Sequence, residues 1–143
     1  YRLIFIALLI GTSCSSSESP NESVAIVAAE EQSGKVEVVD SNEFEKLMKA
    51  EGVTLIDVRT DGEVAEGIIP GAIQIDISDF SDFEKKINNL NKDGKILVYC
   101  KVGGRSARAA QYLEQNGFRE VYDLKGGYLA WEEAGKQIEI PNK

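Results

Sequence analysis

The stretch from Lys95 to Ser106, KILVYCKVGGRS, constrains the fold more than any other part of the chain. Its apolar run, Ile96 to Tyr99, is bounded before by Asp93-Gly94 and closed by Cys100. Such a run predicts a short strand buried on both faces, the kind a parallel sheet requires. Gly103 and Gly104 then let the backbone turn tightly with its amides facing inward, and Ala107 to Gln115 continue as a helix. Cys100 therefore belongs at a strand's carboxyl end, above amide donors at a helix N-terminus.

That placement implies chemistry. A free cysteine has a pKa of about 8.5, and a helix N-terminus with adjacent cations such as Lys101 and Arg105 lowers it, which favours the reactive thiolate near neutral pH. The competing reading is an ordinary buried cysteine acting as a small hydrophobe. It does not account for a Lys-Val-Gly-Gly-Arg-Ser sequel with no large side chain after Val102. Spacing narrows the chemistry further. Loops of the tyrosine-phosphatase type place one residue more between cysteine and arginine than the four found here, and so cradle a phosphate. The shorter loop leaves a smaller bowl, sized to one extra sulfur on the cysteine. Arg105 adds a planar fork of donors suited to an oxyanion such as a sulfonate.

On these residues the chain resembles the rhodanese family of sulfurtransferases, and three further segments agree. Asp57-Val58-Arg59-Thr60 with Glu63, then Gly67-Ile68-Ile69-Pro70-Gly71-Ala72, resemble that family's first signature. Val121 to Tyr128 with Trp131 resembles its closing one. The resemblance runs from about Val36 to the end and implies a rhodanese-like α/β fold, with a mostly parallel sheet of about five strands flanked by helices on both faces. It also implies an activity like that of thiosulfate sulfurtransferases. Cys100 would take the outer sulfur of an anionic donor such as thiosulfate as a persulfide and pass it to cyanide or a thiol. Lys101, Val102, Gly103, Gly104, Arg105 and Ser106 would form the substrate-binding loop, its amides from Val102 to Ser106 favouring the charge of the terminal sulfur. The family's first signature often has histidine where Ile68 stands, and this chain has no histidine.

Two other classes stay open at this point. One is a sulfur carrier or binding module serving a partner protein, with little turnover on small donors. The other, disfavoured by the loop length, is an oxyanion reductase or phosphatase. No metal or organic cofactor is expected, since histidine is absent and a second usable cysteine is lacking.

The beginning of the chain reads differently. Leu3 to Ile10 is purely apolar but far short of the roughly 20 residues that span a bilayer. Followed by Gly11-Thr12-Ser13-Cys14, it predicts a signal peptide over residues 1–13, with the small residues before Cys14 resembling a bacterial lipobox. Cys14 would then carry lipid, and the protein would be exported to the periplasm and touch a membrane only through that anchor. A plain secretory signal and a buried strand or helix are the alternatives. Residues 14–35, rich in serine, glutamate and alanine and broken by Pro20 and Gly34, predict a flexible tether.

What remains, 36–143, suffices for one domain with a core. With 24 acidic residues against 16 basic ones, the net charge of −8 argues against nucleic acid or an anionic membrane surface as partner. Val36 to Val39 predicts a first strand, and Asp40 with Glu43 a capping box opening a helix that buries Phe44, Leu47 and Met48. Val53 to Val58 predicts a second buried strand. A carboxylate at such a strand's end is costly unless paired, so Asp57 is read as a brace holding amides or an arginine, while Arg59 is read equally as a brace or as facing the bowl. Glu63 and Glu66 read as a solvated or loop-bracing face. Ala72 to Ile77 predicts a third strand near an edge, and Phe83, Ile87 and Leu90 one face of a helix. Val121 to Leu124 predicts the last strand, and Leu129 to Trp131 the start of a short final helix. Strands alternating with helices argue for an α/β layer fold, whose ligand sites lie beyond the strands' carboxyl ends.

Overall fold

The computed structural model of the protein describes Gly11 and residues 33–142. Expectations for the signal peptide, for Cys14 and for nearly all of the tether lie outside the described residues. The tether's last residue, Lys35, instead opens the first strand.

Five parallel strands form one sheet: β1 (Lys35–Val39), β2 (Val53–Asp57), β3 (Ile73–Gln74), β4 (Lys95–Tyr99) and β5 (Glu120–Leu124), in the spatial order β1-β5-β4-β2-β3. The apolar run Ile96 to Tyr99 thus occupies the centre, as its composition requires. Its side chains alternate between faces with the period of two that a strand imposes. Ile96, Val98 and Cys100 pack into one apolar cluster, and Leu97 and Tyr99 into the other.

Each cluster is covered by helices. On the first face lie α3 (Phe80–Ile87), through Phe83 and Ile87, and α4 (Gly104–Gln115), through Ala109, Ala110 and Leu113. The second face is covered by α1 (Ser41–Met48), through Phe44, and α5 (Gly127–Glu133), through Tyr128 and Trp131, with Phe44 meeting Trp131 edge to face. The α1 cap is as expected from Asp40, whose carboxylate accepts from the amides of Asn42 and Glu43 at 2.9 Å each.

Two local features differ from the sequence reading. Residues 61–65, which it assigned to no element, form a short helix, α2 (Asp61–Ala65); Thr60 and Glu63 supply its capping box. The third strand is only two residues long, although hydrogen bonds from the Ile75 amide to Asp57 and from the Ile77 amide to Val58 carry the chain on alongside β2. Ile68 exchanges backbone hydrogen bonds with Glu139 in an isolated antiparallel bridge.

Candidate active site

Cys100 is the first residue beyond the central strand, and α4 begins four residues later. The turn between them depends on Gly103, whose φ of 110° lies in the left-handed region open to glycine. In that conformation the Gly103 amide points back and donates to Cys100 Sγ at 3.0 Å. The loop is held from below by the start of α5: the amides of Tyr128 and Leu129 donate to the carbonyls of Cys100 and Lys101 at 2.7 and 3.1 Å. Gly127 makes this approach possible, because a Cβ there would stand 2.5 Å from the Cys100 carbonyl oxygen.

Burial pushes the Cys100 thiol up. Hydrogen bonds from the Ser106 hydroxyl and from the amides of Ser106, Gly103 and Val102 outweigh it and leave the thiol below its ordinary value. Of the five loop amides expected to favour a charged sulfur, that of Gly103 stands within hydrogen-bonding distance of it, at 3.0 Å. The bowl is tighter than the sequence suggested: Cys100 is 1% exposed, its sulfur closed over by its own loop.

The two cations of the loop take different places. Lys101 is exposed and enters no salt bridge among the described residues. Arg105 turns its fork away to Glu63, with Nη1 and Nη2 donating to the two carboxylate oxygens at 2.7 Å each. Glu63 also accepts from the Thr60 amide and hydroxyl at 3.2 and 3.0 Å. Chiefly through Arg105, its carboxyl is held down at about 2. Glu63 thus holds the loop arginine, where the sequence reading left it as a solvated or loop-bracing face; the Thr60-x-x-Glu63 capping box was its available signal.

Asp57 and Arg59 form a second, deeper unit. Both are buried, and the Arg59 guanidinium donates to Asp57 through Nε at 3.0 and 3.1 Å and through Nη2 at 2.7 Å. Nη2 also reaches the Gly67 carbonyl at 2.7 Å, and the guanidinium lies 4.1 Å over the Tyr128 ring. Every hydrogen bond of the Arg59 side chain ends on the first signature, so the guanidinium braces that segment and does not face the sulfur. One further acid, Asp123, is buried behind the loop on the face that carries Cys100; the sequence reading gave it no role.

A parallel α/β sheet with a thiol at the end of its central strand, above loop amides at a helix N-terminus, is an arrangement suited to covalent chemistry on cysteine. The chain belongs to the rhodanese-like domain family, whose pattern matches residues 40–134. It is 36% identical over 107 residues to a protein of Allochromatium vinosum named as a sulfurtransferase, a match covering 74% of this chain and 97% of that one. A tRNA uridine(34) hydroxylase of a Picosynechococcus species is 38% identical over 98 residues, covering 66% of this chain but only 33% of the hydroxylase. Among solved structures, a rhodanese-related protein of Thermoplasma volcanium superposes with a TM-score of 0.65 at 30% identity, covering 73% of this chain and 99% of that one.

Proposed function

We propose that the protein is a sulfurtransferase that moves a sulfane sulfur from a donor such as thiosulfate to a thiophilic acceptor through a persulfide on Cys100. The thiolate attacks the donor's outer sulfur; the S–S bond breaks, sulfite leaves with its electron pair, and the sulfur stays on Cys100. Cyanide or a thiolate then attacks that sulfur and the Cys100 thiolate is restored. The observation that carries this reading is the Gly103 amide aimed at Sγ from 3.0 Å. Such donors stabilise whichever sulfur bears the charge.

The second reading, a carrier that loads sulfur and hands it to a protein partner, is favoured by one observation. With Cys100 1% exposed and the Arg105 fork filled by Glu63, a small dianion meets a nearly closed loop. Nucleic-acid chemistry is not part of the proposal, since the net charge is −8 and the match spans one third of the hydroxylase. The proposal includes export with lipid on Cys14, so that 36–143 works as a tethered domain. Labelled fatty acid incorporated in cells and lost in Cys14→Ala is the expected result.

Intact mass after incubation with thiosulfate tests the chemistry. Wild type should gain the mass of one sulfur and lose it to cyanide, and Cys100→Ser should gain nothing. Loading retained by the serine variant overturns the assignment, and loading released only to a protein acceptor selects the carrier.

A further inference from the structure

The backbone of the cysteine loop crosses directly over the turn that opens α5. The Leu129 amide donates to the Lys101 carbonyl at 3.1 Å, and a Cβ added to Gly103 would stand 3.9 Å from the Gly126 amide nitrogen. Side chains that these two segments expose therefore share one surface, at the rim of the loop. Two of them are apolar: Val102 is 62% exposed and Leu129 42%. A single exposed apolar side chain is ordinary, but two on hydrogen-bonded segments beside a thiol form a patch that a partner can bury. Cys100 itself is 1% exposed, so whatever reaches its sulfur must first engage this rim.

The charge on this surface runs against that of the whole chain. Lys101 and Lys125 are exposed on the same two segments, and neither enters a salt bridge among the described residues. The nearby acids are otherwise placed: Glu63 holds Arg105, Asp40 accepts from the first amides of α1, and Glu132 lies about a turn beyond Leu129 on α5. In a protein of net charge −8, the rim of the cysteine loop is thus apolar and cationic. Cyanide or another small hydrophilic acceptor gains nothing from Val102 and Leu129, whereas a protein surface laid over them removes both from water.

We propose that the face formed by Lys101, Val102, Lys125 and Leu129 is the docking surface for an acidic protein that presents its acceptor cysteine beside an apolar side chain. The acceptor thiolate attacks the outer sulfur of the Cys100 persulfide, the S–S bond between the two sulfurs breaks, and its electron pair returns to Cys100. The apolar pair sets how long the partner stays, and the lysines set how fast it arrives.

This deepens the proposed function, since it rests on a persulfide at Cys100, but its test needs no sulfur transfer. Peptides Glu-X-Cys-Glu and Lys-X-Cys-Lys, with X leucine or serine, are joined to thionitrobenzoate as mixed disulfides. They are offered to the full chain carrying Cys14→Ala, in which Cys100 is the one thiol. The Cys100 thiolate attacks the peptide sulfur, and thionitrobenzoate leaves with the electron pair and is read by its colour. Each rate is divided by that for the mercaptoethanol mixed disulfide, so that a change in thiol reactivity cancels. At low salt the protein should prefer leucine to serine, and glutamate to lysine, by about fivefold each. Leu129→Ser should abolish the first preference and Lys125→Gln should at least halve the second. Preferences below about twofold, or unchanged in these variants, overturn the proposal. An equal gain from a butanethiol mixed disulfide assigns the patch to small apolar thiols, and a dimer in sedimentation that Leu129→Ser dissolves assigns it to a second copy; either overturns it. Thiosulfate loading that fails while the peptide preferences hold counts against the proposed function alone.

Discussion

Arg105 and Glu63 face each other through two parallel hydrogen bonds of 2.7 Å across 42 residues of sequence. The pair ties the first turn of α4, which follows the cysteine loop, to the first turn of α2, which lies within the first signature. The geometry is that of a bidentate fork, the strongest arrangement open to an arginine and a carboxylate. It fixes one rim of the loop and at the same time cancels the charge that would draw in an anion.

The pair should make stability pH-dependent in the acid range. The Glu63 carboxyl is held at about 2 in the folded protein against an ordinary 4.5, so the unfolded chain binds the proton more readily. Its stabilisation is therefore complete above 4.5 and is lost as pH falls through about 2. Side chains that are 22% and 33% exposed leave the pair partly screened, which brings the contribution to about 1 to 2 kcal/mol. Urea unfolding of wild type and Glu63→Gln should differ by this amount near neutrality and converge toward about pH 2. A difference independent of pH would show that Glu63 acts through packing.

The Asp57–Arg59 unit should behave as an all-or-none brace. Removing Arg59 leaves a carboxylate at 0% exposure without its cation, and strips the Gly67 carbonyl of its donor. Arg59→Leu should cost about 3 to 5 kcal/mol, while Asp57→Val combined with Arg59→Leu should cost less than Arg59→Leu alone, because no unpaired charge remains. Denaturant midpoints of the single and double variants measure this, and additive losses would rule the brace out.

The central strand was legible because burial on both faces writes an uninterrupted apolar run, and the loop because Gly103 and Gly104 leave few other conformations. Asp57 was legible as a brace since a charge at such a strand's end needs a partner. The direction of Arg59 was not, because its anchors include a carbonyl eight residues away and a ring 69 positions on, Tyr128. Helix α2 escaped notice because its five residues include only Val64 and Ala65 as apolar members, too few to show a period. Glu63 and Asp123 were missed for opposite reasons. One looked solvated until the fold brought Arg105 to it, and the other lay in a strand whose pairing alone buries it.

Gly127 should be intolerant of any side chain. Its φ of 62° is unfavourable for an L residue, and an added Cβ would lie 2.5 Å from the Cys100 carbonyl oxygen and 2.7 Å from the Lys101 carbonyl. Gly127→Ala should therefore cost about 2 kcal/mol or more and lower the Tm by about 10 °C. It should also push the loop off α5, so that thiol alkylation changes along with stability. A Tm within about 2 °C of wild type would mean that the loop can rise without loss.

The balance of charge at the loop rim should set how well a dianionic donor is used. In a protein of net charge −8, a dianion such as thiosulfate would approach against the overall field and would depend on Lys101 and Arg105 for local attraction. Glu63 offsets one of these cations by direct contact. Glu63→Gln removes that offset and loosens the fork, so its KM for thiosulfate should fall severalfold at low ionic strength. The gain should fade as salt rises toward about 0.15 M, where charges are screened within roughly 8 Å. Arg105→Ala removes the cation and leaves Glu63 facing the rim, so its KM should rise by a greater factor than its loss of stability explains. Steady-state kinetics of both variants at two salt concentrations distinguish the cases. If both variants lose activity in proportion to their Tm, Arg105 serves the fold alone and the donor is steered by Lys101 and the loop amides.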